Sequence, residues 1–176
     1  MRIFARIPAI AALLIAMTMV TSLGHAQVAA SAEAQQAMLA SPDPKLAANK
    51  KLVYDMYRHI VQGGHADLVE RFFTPEYIQH NPNVASGRDA LAVFLRGSRP
   101  ARPISPIITL PIIRIVAEGD YVLVMSERPM KDEAGKPYAT SWFDVYRIEN
   151  GLIAEHWDPA LKSAAMLKFD PNEMGK

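Results

Sequence analysis

The sequence predicts an α+β domain in which three N-terminal helices pack on a curved antiparallel β-sheet meander. In its first half, apolar residues recur at steps of three and four, as in an amphipathic helix. After Pro106 the pattern changes to alternating and continuous apolar runs joined by short, turn-like links, which are typical of neighbouring antiparallel strands. Helices followed by such a meander favour a sheet that wraps around a long helix and leaves a conical cavity.

The first helix is predicted from Pro44, which Asp43 can cap, to the Gly63-Gly64 pair. The second covers about residues 66–73 and the third about residues 88–96. Between them, Tyr77-Ile78-Gln79-His80-Asn81-Pro82 is expected to be a loop or a short strand. Four strands follow, over residues 107–117, 121–128, 138–148 and 152–158.

The link over residues 149–151 decides which side chains meet across the last hairpin. A three-residue loop places Asp144 opposite His156. A two-residue turn places Asp144 opposite Trp157 and away from the face of His156 and Asp158, because side chains alternate between the faces of a strand. We expect the three-residue loop, since it gathers these polar groups on one face.

The first 26 residues are typical of a cleavable signal peptide. Arg2 and Arg6 precede an apolar run over residues 7–23, and small residues lead to an expected cleavage after Ala26. An uncleaved anchor is the alternative, because the run approaches the ~20 residues that span a bilayer. With cleavage, the protein is expected to be periplasmic or secreted and free of the membrane.

Of the 176 residues, the 150 that follow the signal peptide suffice for one domain. Residues 27–44 are rich in alanine and glutamine and end in two prolines, so we expect a flexible spacer there. Residues 45–165 would form the domain and residues 166–176 a C-terminal tail.

Charge and cysteine content exclude several functions. The chain has 19 Lys and Arg against 18 Asp and Glu, so it lacks the basic excess of a nucleic-acid binder. It has no cysteine, which excludes disulfide frameworks and thiol nucleophiles, and no phosphate-binding glycine loop or serine nucleophile motif. Any chemistry therefore depends on His, Asp, Glu, Tyr, Lys or Arg.

Asp144, His156 and Asp158 are the candidate catalytic residues. A carboxylate beside an imidazole on the wall of an apolar cavity can exchange protons near neutral pH. Two alternatives stay open: Asp158, which precedes Pro159, could be only a turn-forming acid, and His156 could be a core histidine.

The candidate substrate contacts are Tyr77, His80, Trp142 and Tyr146. Tyr77 and His80 lie in the segment expected to cross the open end of the cavity. Trp142 and Tyr146 lie on the strand that carries Asp144, where packing within the sheet is the alternative role. Two histidines with carboxylates are an acceptable ligand set for iron or zinc, but no short-spaced ligand motif is present, and we expect neither a metal nor a cofactor.

The order of elements, the segment 77–82 and the ending FDVYRIENGLIAEHWD over residues 143–158 resemble the SnoaL-like polyketide-cyclase group of the NTF2-like superfamily. The resemblance covers about residues 45–161 and implies the NTF2-like cone and metal-free chemistry. It also implies that Asp158 is the acid/base aspartate that removes a proton alpha to a carbonyl during aldol closure. The partner histidine of those cyclases falls near Asp144, which is an acid here.

Three functions fit these observations. We expect an exported, cofactor-free acid/base enzyme that acts on a small hydrophobic carbonyl compound by aldol-type cyclisation, isomerisation or dehydration. The alternatives are a periplasmic binding protein for a hydrophobic small molecule and a dimeric interaction module. In the last, the outer sheet face with Phe143, Val145 and Trp157 pairs with another subunit. A homodimer is expected under either of the first two functions.

Overall fold

The structure is a computed structural model that describes residue 28 and residues 31–162. The predicted signal peptide and C-terminal tail lie outside these residues. Within the described part, no helix has both the length and the apolar character to cross a membrane.

The helices lie where the sequence predicts them, with one addition at the N-terminal end. They are α1 (Ala32–Leu39), α2 (Pro44–Met56), which continues directly as a π-helical segment (Tyr57–Gln62), a 3₁₀ helix (Ala66–Arg71) and α3 (Arg88–Ser98). The Asp43 side chain caps α2 by accepting from the Lys45 and Leu46 amides.

Helix α1 departs from the flexible spacer expected over residues 27–44. Gln35 is fully buried: its Nε2 donates to the Ile108 carbonyl at 2.6 Å, and its Oε1 accepts from the Ile108 amide at 2.9 Å and the Tyr54 hydroxyl at 2.8 Å. The Lys50 ammonium donates to two carbonyls at the end of α1. This helix is held by polar contacts to residues that are distant in the sequence. The local pattern of alanines and glutamines does not indicate such contacts, and for this reason the helix was not predicted.

The sheet has five strands, one more than predicted. They are β1 (Phe73–Gln79), β2 (Ile112–Glu118), β3 (Tyr121–Lys131), β4 (Pro137–Glu149) and β5 (Leu152–Trp157), in the order β1-β5-β4-β3-β2. Strands β2 to β5 form the predicted antiparallel meander. Strand β1 pairs in parallel with β5, so the sheet is mixed. The second predicted helix ends at Arg71, because the chain enters β1 at Phe73.

Residues 107–111, predicted as the start of a strand, lie outside the sheet. Gln62 bonds to the Ile107 carbonyl and the Thr109 amide, and Gln35 bonds to both backbone groups of Ile108. Glutamine side chains therefore satisfy this backbone in place of a neighbouring strand.

The last hairpin has a two-residue turn, so the expected three-residue loop is wrong. Asn150 and Gly151 have φ angles of 52° and 78°, as in a type I′ turn, and Glu149 pairs with Leu152. Asparagine and glycine are the residues that adopt this left-handed conformation most readily, so the turn is encoded locally.

A β-bulge then changes the register of the same hairpin. Ile148 pairs with Ile153 but Arg147 pairs with Glu155, so Ala154 is an extra residue on β5. Beyond the bulge, Tyr146 lies opposite His156. The shorter turn alone would direct His156 and Asp158 to the opposite face of the sheet from Asp144, and the extra residue returns them to the same face. The predicted convergence of these three residues therefore occurs, although through a register that we did not expect.

The hydrophobic core lies between α2 and the inner face of the sheet. Val53 and Ile60 come from the helical side, and Ile115, Val124 and Ile153 from the strands; each is almost completely buried. Some of these core residues, among them Ile60, also line the cavity described below.

Replacing Gln35 by alanine is expected to lower the free energy of unfolding by about 2–4 kcal/mol, because both backbone groups of Ile108 and the Tyr54 hydroxyl lose a buried partner. Urea denaturation followed by circular dichroism measures this. The matched control is Gln36→Ala, which lies on the exposed side of α1 and is expected to change stability by less than about 0.5 kcal/mol. Equal stabilities for the two variants would contradict the docking of α1.

Candidate active site

A cavity of about 350 Å³ lies between the helices and the inner face of the sheet, a volume within the range of small-molecule sites. Much of its wall is apolar, including Ile60, Leu91, Leu95 and Ile112. Polar side chains line the rest; they include Tyr57, Tyr77, Gln79, Asn81, Arg128, Trp142, Asp144, Tyr146, His156 and Asp158.

Tyr57 reaches this polar group from the point where α2 becomes π-helical. Its hydroxyl donates to Asp144 Oδ2 at 2.6 Å. A π-helical turn widens the helix by one residue and frequently occurs at functional sites. Here it positions a phenol from the helix layer against a carboxylate from the sheet.

Asp144, on β4, accepts hydrogen bonds from three side chains. Besides Tyr57, Trp142 Nε1 donates to Oδ1 at 3.2 Å, and His156 Nε2 lies 3.0 Å from the same oxygen. Because an ionised carboxylate has about four accepting positions, most of those of Asp144 are taken. Asp144 is therefore held in one orientation by the helix, its own strand and β5.

Both ring nitrogens of His156 face acceptors. Nε2 faces Asp144, and Nδ1 lies 2.9 Å from Gln79 Oε1. The Gln79 amide cannot be turned around, because the Asn81 backbone N–H also donates to Oε1 at 3.0 Å. His156 Nδ1 must therefore carry hydrogen and donate.

The remaining proton of the His156–Asp144 pair lies between Nε2 and Oδ1. A pair of this kind holds one proton at a fixed place on the cavity wall.

Asp158 follows β5 and lies beside this pair. It accepts from Asn81 Nδ2 at 2.8 Å and from the Ala160 amide at 3.0 Å, so it does form the turn that was its alternative role. One ligand atom each from Asp144, His156 and Asp158 lies within 4.8 Å of the others. These three could hold a cation, although each is already bonded to a neighbouring protein group.

Burial raises the pKa values of Tyr57, Tyr77 and Tyr146, and neighbouring acidic groups raise them further. All three phenols are therefore protonated donors in the working pH range. Gln79 Nε2 donates to the Tyr77 oxygen at 3.0 Å, which leaves the Tyr77 hydroxyl hydrogen for an acceptor. Since Tyr77 lines the cavity, a bound ligand can supply that acceptor.

Six of the seven predicted site residues line the cavity, and His80 does not. Its ring stacks on Trp157 at 4.5 Å, and its Nε2 lies 3.0 Å from Glu155 Oε2. Because residues 73–79 form a strand and not a loop, Gln79 and His80 point to opposite sides of the sheet. His80 therefore lies outside the cavity, where it was expected as a substrate contact, and its neighbour Gln79 takes the position inside.

The sequence reasoning did not identify Tyr57, Gln79, Asn81 or Arg128 as residues of the site. Gln79 and Asn81 were indicated by the same polar segment that drew attention to His80, and only the register of β1 selects between them. Arg128 lies in the same alternating series of β3 as the buried Val122 and Val124, and a charged residue at such a position was the available signal.

A family model described as a SnoaL-like domain matches residues 53–156, more than half of the chain. Curated proteins provide no match. The fold is similar to that of TsrD from Streptomyces laurentii (22% identity, 67% of this chain and 90% of that chain, TM-score 0.45). It is also similar to a protein described as a SnoaL-like polyketide cyclase from Jannaschia sp. CCS1 (15%, 68% and 91%, 0.49).

A further likeness is to an LEH-like epoxide hydrolase of M. tuberculosis (17% identity, 66% of this chain and 80% of that chain, TM-score 0.48). At these identities and with TM-scores below 0.5, the solved structures do not bear on substrate or reaction.

The tyrosine cluster predicts alkaline unfolding. Its phenols have folded-state pKa values above the unfolded value, so their neutral form stabilises the fold fully below about pH 10 and this stability is lost at higher pH. Tyr146→Phe removes one such phenol and a long hydrogen bond of 3.5 Å. We expect its unfolding midpoint, measured by tyrosinate absorbance and circular dichroism, to move to higher pH.

The matched control is Tyr138→Phe, since Tyr138 is 48% exposed. Its alkaline midpoint is expected to equal that of the wild type. If Tyr146→Phe also leaves the midpoint unchanged, burial of this phenol does not set the alkaline limit.

Proposed function

The chain belongs to the SnoaL-like domain family, and on that premise we propose that it is a cofactor-free acid/base enzyme acting on a small hydrophobic carbonyl compound. The reaction begins with removal of a proton from the carbon next to the carbonyl. Cyclisation by aldol addition, isomerisation and dehydration all start in this way. The observation that carries the proposal is Asp158, a carboxylate on the cavity wall that accepts fewer hydrogen bonds than the neighbouring Asp144 and retains accepting positions.

The hydrogen bonds support Asp158 as the base. Asp144 accepts from three side chains, and both nitrogens of His156 are bonded. Asp158 accepts from two donors, which leaves about half of the accepting positions of a carboxylate. In the proposed first step, the α-carbon–hydrogen bond breaks, the proton passes to Asp158, and the electron pair moves onto the carbonyl oxygen as an enolate.

The position of Tyr77 supports the formation of the enolate in that step. Its hydroxyl is protonated and retains a hydrogen to donate, so it can bind the carbonyl oxygen and stabilise the charge that develops there. The His156–Asp144 pair then has a positioning role: it holds Trp142 and Tyr57 around the site and keeps a proton within 4.8 Å of Asp158.

A binding protein without turnover would use the same cavity and would not need Asp158. The largely apolar wall favours it as the second candidate, because such a wall binds hydrophobic ligands irrespective of the base. The two functions differ in one measurable respect, which is whether α-protons of a bound ketone exchange with solvent.

Export and a homodimer are further parts of the proposal. The N-terminal sequence supports export, with the mature protein in the periplasm or secreted. The outer face of the sheet supports a dimer, since Ile78, Val116, Tyr121 and Phe143 on it are between 41% and 49% exposed.

Asp158→Asn is expected to slow proton abstraction by about 10²–10⁴-fold, the usual contribution of a general base. The measurement is hydrogen–deuterium exchange at the α-carbon of neutral and acidic aryl ketones in deuterium oxide, with β-tetralone and benzoylpropionate among them, followed by proton NMR. The wild type is expected to accelerate exchange of at least one ketone over buffer.

Asp67→Asn is the matched control, because the Asp67 side chain is 74% exposed and lies away from the cavity. It is expected to exchange like the wild type. A wild type that accelerates no ketone, or an Asp158→Asn variant as fast as the wild type, would overturn the enzyme in favour of the binding protein or another base.

For the dimer, light scattering of the mature protein is expected to give the mass of two chains. Phe143→Glu should shift the equilibrium towards the monomer, because it buries a charge in the proposed interface. Val93→Glu, at a residue that is 63% exposed on α3, is the control that should leave the mass unchanged. A monomer at every wild-type concentration contradicts the dimer.

A further inference from the structure

The amide of Gln79 has an acceptor and a donor that face different partners. Its Oε1 accepts from the Asn81 backbone N–H at 3.0 Å and lies 2.9 Å from His156 Nδ1. Its Nε2 donates to the Tyr77 oxygen at 3.0 Å. Because a backbone N–H can only donate, the amide has one orientation, and that orientation places a donor against Tyr77.

The Tyr77 hydroxyl therefore accepts a hydrogen bond within the protein and keeps its own hydrogen. Tyr77 is 1% exposed, and its ring lies edge-on to that of Phe73, with 4.8 Å between the ring centroids. A hydroxyl has one hydrogen and two lone pairs, so a donor on one side turns the hydrogen away from itself. Within the part of the chain that the structure describes, no acceptor takes this hydrogen. Since Tyr77 lines the cavity, a ligand there can take it.

The other phenols and the indole on the cavity wall donate to protein groups. The Tyr57 hydroxyl and Trp142 Nε1 donate to Asp144, and the Tyr146 hydroxyl donates to the Tyr57 oxygen. Burial raises the pKa of Tyr77, and nearby carboxylates raise it further, so its hydrogen stays in place in the working pH range. Of these four described side chains, Tyr77 is the one that keeps a hydrogen for a ligand.

We propose that Gln79 is a positioning residue that makes the cavity select ligands with a hydrogen-bond acceptor, such as a carbonyl oxygen, at Tyr77. The inference rests on the proposed function, in which Tyr77 binds the carbonyl oxygen. Gln79 acts through Tyr77: its Nε2 donates to the phenol oxygen and so directs the single hydrogen of that hydroxyl into the cavity.

The variant Gln79→Glu reverses one of these hydrogen bonds and keeps the others. The introduced carboxylate still accepts from the Asn81 N–H and from His156 Nδ1, but it presents a second acceptor where the amide presents Nε2. The Tyr77 hydroxyl is then expected to donate to residue 79 and to turn its hydrogen away from the cavity. At pH 8 the carboxylate is ionised, since the ordinary pKa of a glutamate is about 4.3.

The first measurement compares two ligands of the same shape, 2-acetylnaphthalene and 2-isopropenylnaphthalene, by isothermal titration calorimetry at pH 8. A methylene group replaces the carbonyl oxygen in the second, so the ratio of the two affinities reports the hydrogen bond to that oxygen. Gln79→Glu is expected to lower the ketone-to-alkene ratio at least about tenfold, equivalent to about 1.4 kcal/mol. Tyr77→Phe should lower it as well. Tyr138→Phe, at an exposed phenol outside the cavity, is the matched control and should keep the wild-type ratio.

The second measurement is the infrared band of the bound ketone, labelled with ¹³C at its carbonyl. A hydrogen bond to the oxygen weakens the C=O bond and lowers its stretching frequency. In the wild type, the band is expected below its position in hexane, and in Gln79→Glu and Tyr77→Phe it should return towards that position. A purely structural role of Gln79 would weaken the binding of both ligands and leave the ratio and the band unchanged.

Three results would overturn the proposal: binding of neither ligand by the wild type, a bound ketone with the frequency measured in hexane, or a Gln79→Glu variant with the wild-type ratio and band. Thermal unfolding checks that each variant is folded. If Gln79→Glu does not fold, Gln79→Met replaces it. A methionine side chain has no hydrogen to donate to Tyr77, so the ratio is expected to fall between those of the wild type and Tyr77→Phe, and an unchanged ratio would overturn the proposal.

Neither measurement requires turnover, which separates this proposal from the proposed function. A ratio and a band that depend on Gln79, in a protein that exchanges no ketone, would remove the enzyme and leave the role of Gln79. Exchange of ketones by a protein whose ratio and band do not depend on Gln79 would remove that role and leave the enzyme.

Discussion

One extra residue in β5 decides where the polar groups of this domain lie. The two-residue turn at Asn150 and Gly151 alone would direct Asp144 and His156 to opposite faces of the sheet. The bulge at Ala154 shifts the pairing by one position and returns both to the inner face. Because side chains alternate strictly along a strand, no smaller change could do this. The contact between His156 and Asp144 therefore depends on that bulge.

This register brings together a chain of hydrogen bonds in which each group determines whether the following one donates or accepts. The Asn81 backbone amide orients the Gln79 side chain, Gln79 fixes the protonation of His156 Nδ1, and His156 shares its other proton with Asp144. A backbone N–H can only donate a hydrogen bond, so it determines which atoms of the next side chains in this chain of hydrogen bonds donate and which accept. The base proposed here, Asp158, is held from the same residue through Asn81 Nδ2.

Several parts of this arrangement are readable in the sequence and others are not. Periodicity and turn residues predict α2, α3 and the meander, because these features depend on neighbours in the chain. Docking of α1 through Gln35 and the parallel pairing of β1 depend on partners far away, and no local pattern reports them. The bulge at Ala154 falls between these cases: the convergence of Asp144 with His156 was predicted for chemical reasons, although the register that achieves it was not.

The parallel pairing of β1 with β5 joins parts of the chain that are synthesised far apart. Gln79 and His156 are separated by 77 positions, as are Asn81 and Asp158, and Tyr57 and Asp144 by 87. Contacts of such long range form late, since the entropy of closing the intervening loops opposes them. No partly folded form that lacks β5 contains the proton-sharing pair, its amide support or the candidate base. The polar groups of the cavity therefore come together only when the sheet is complete.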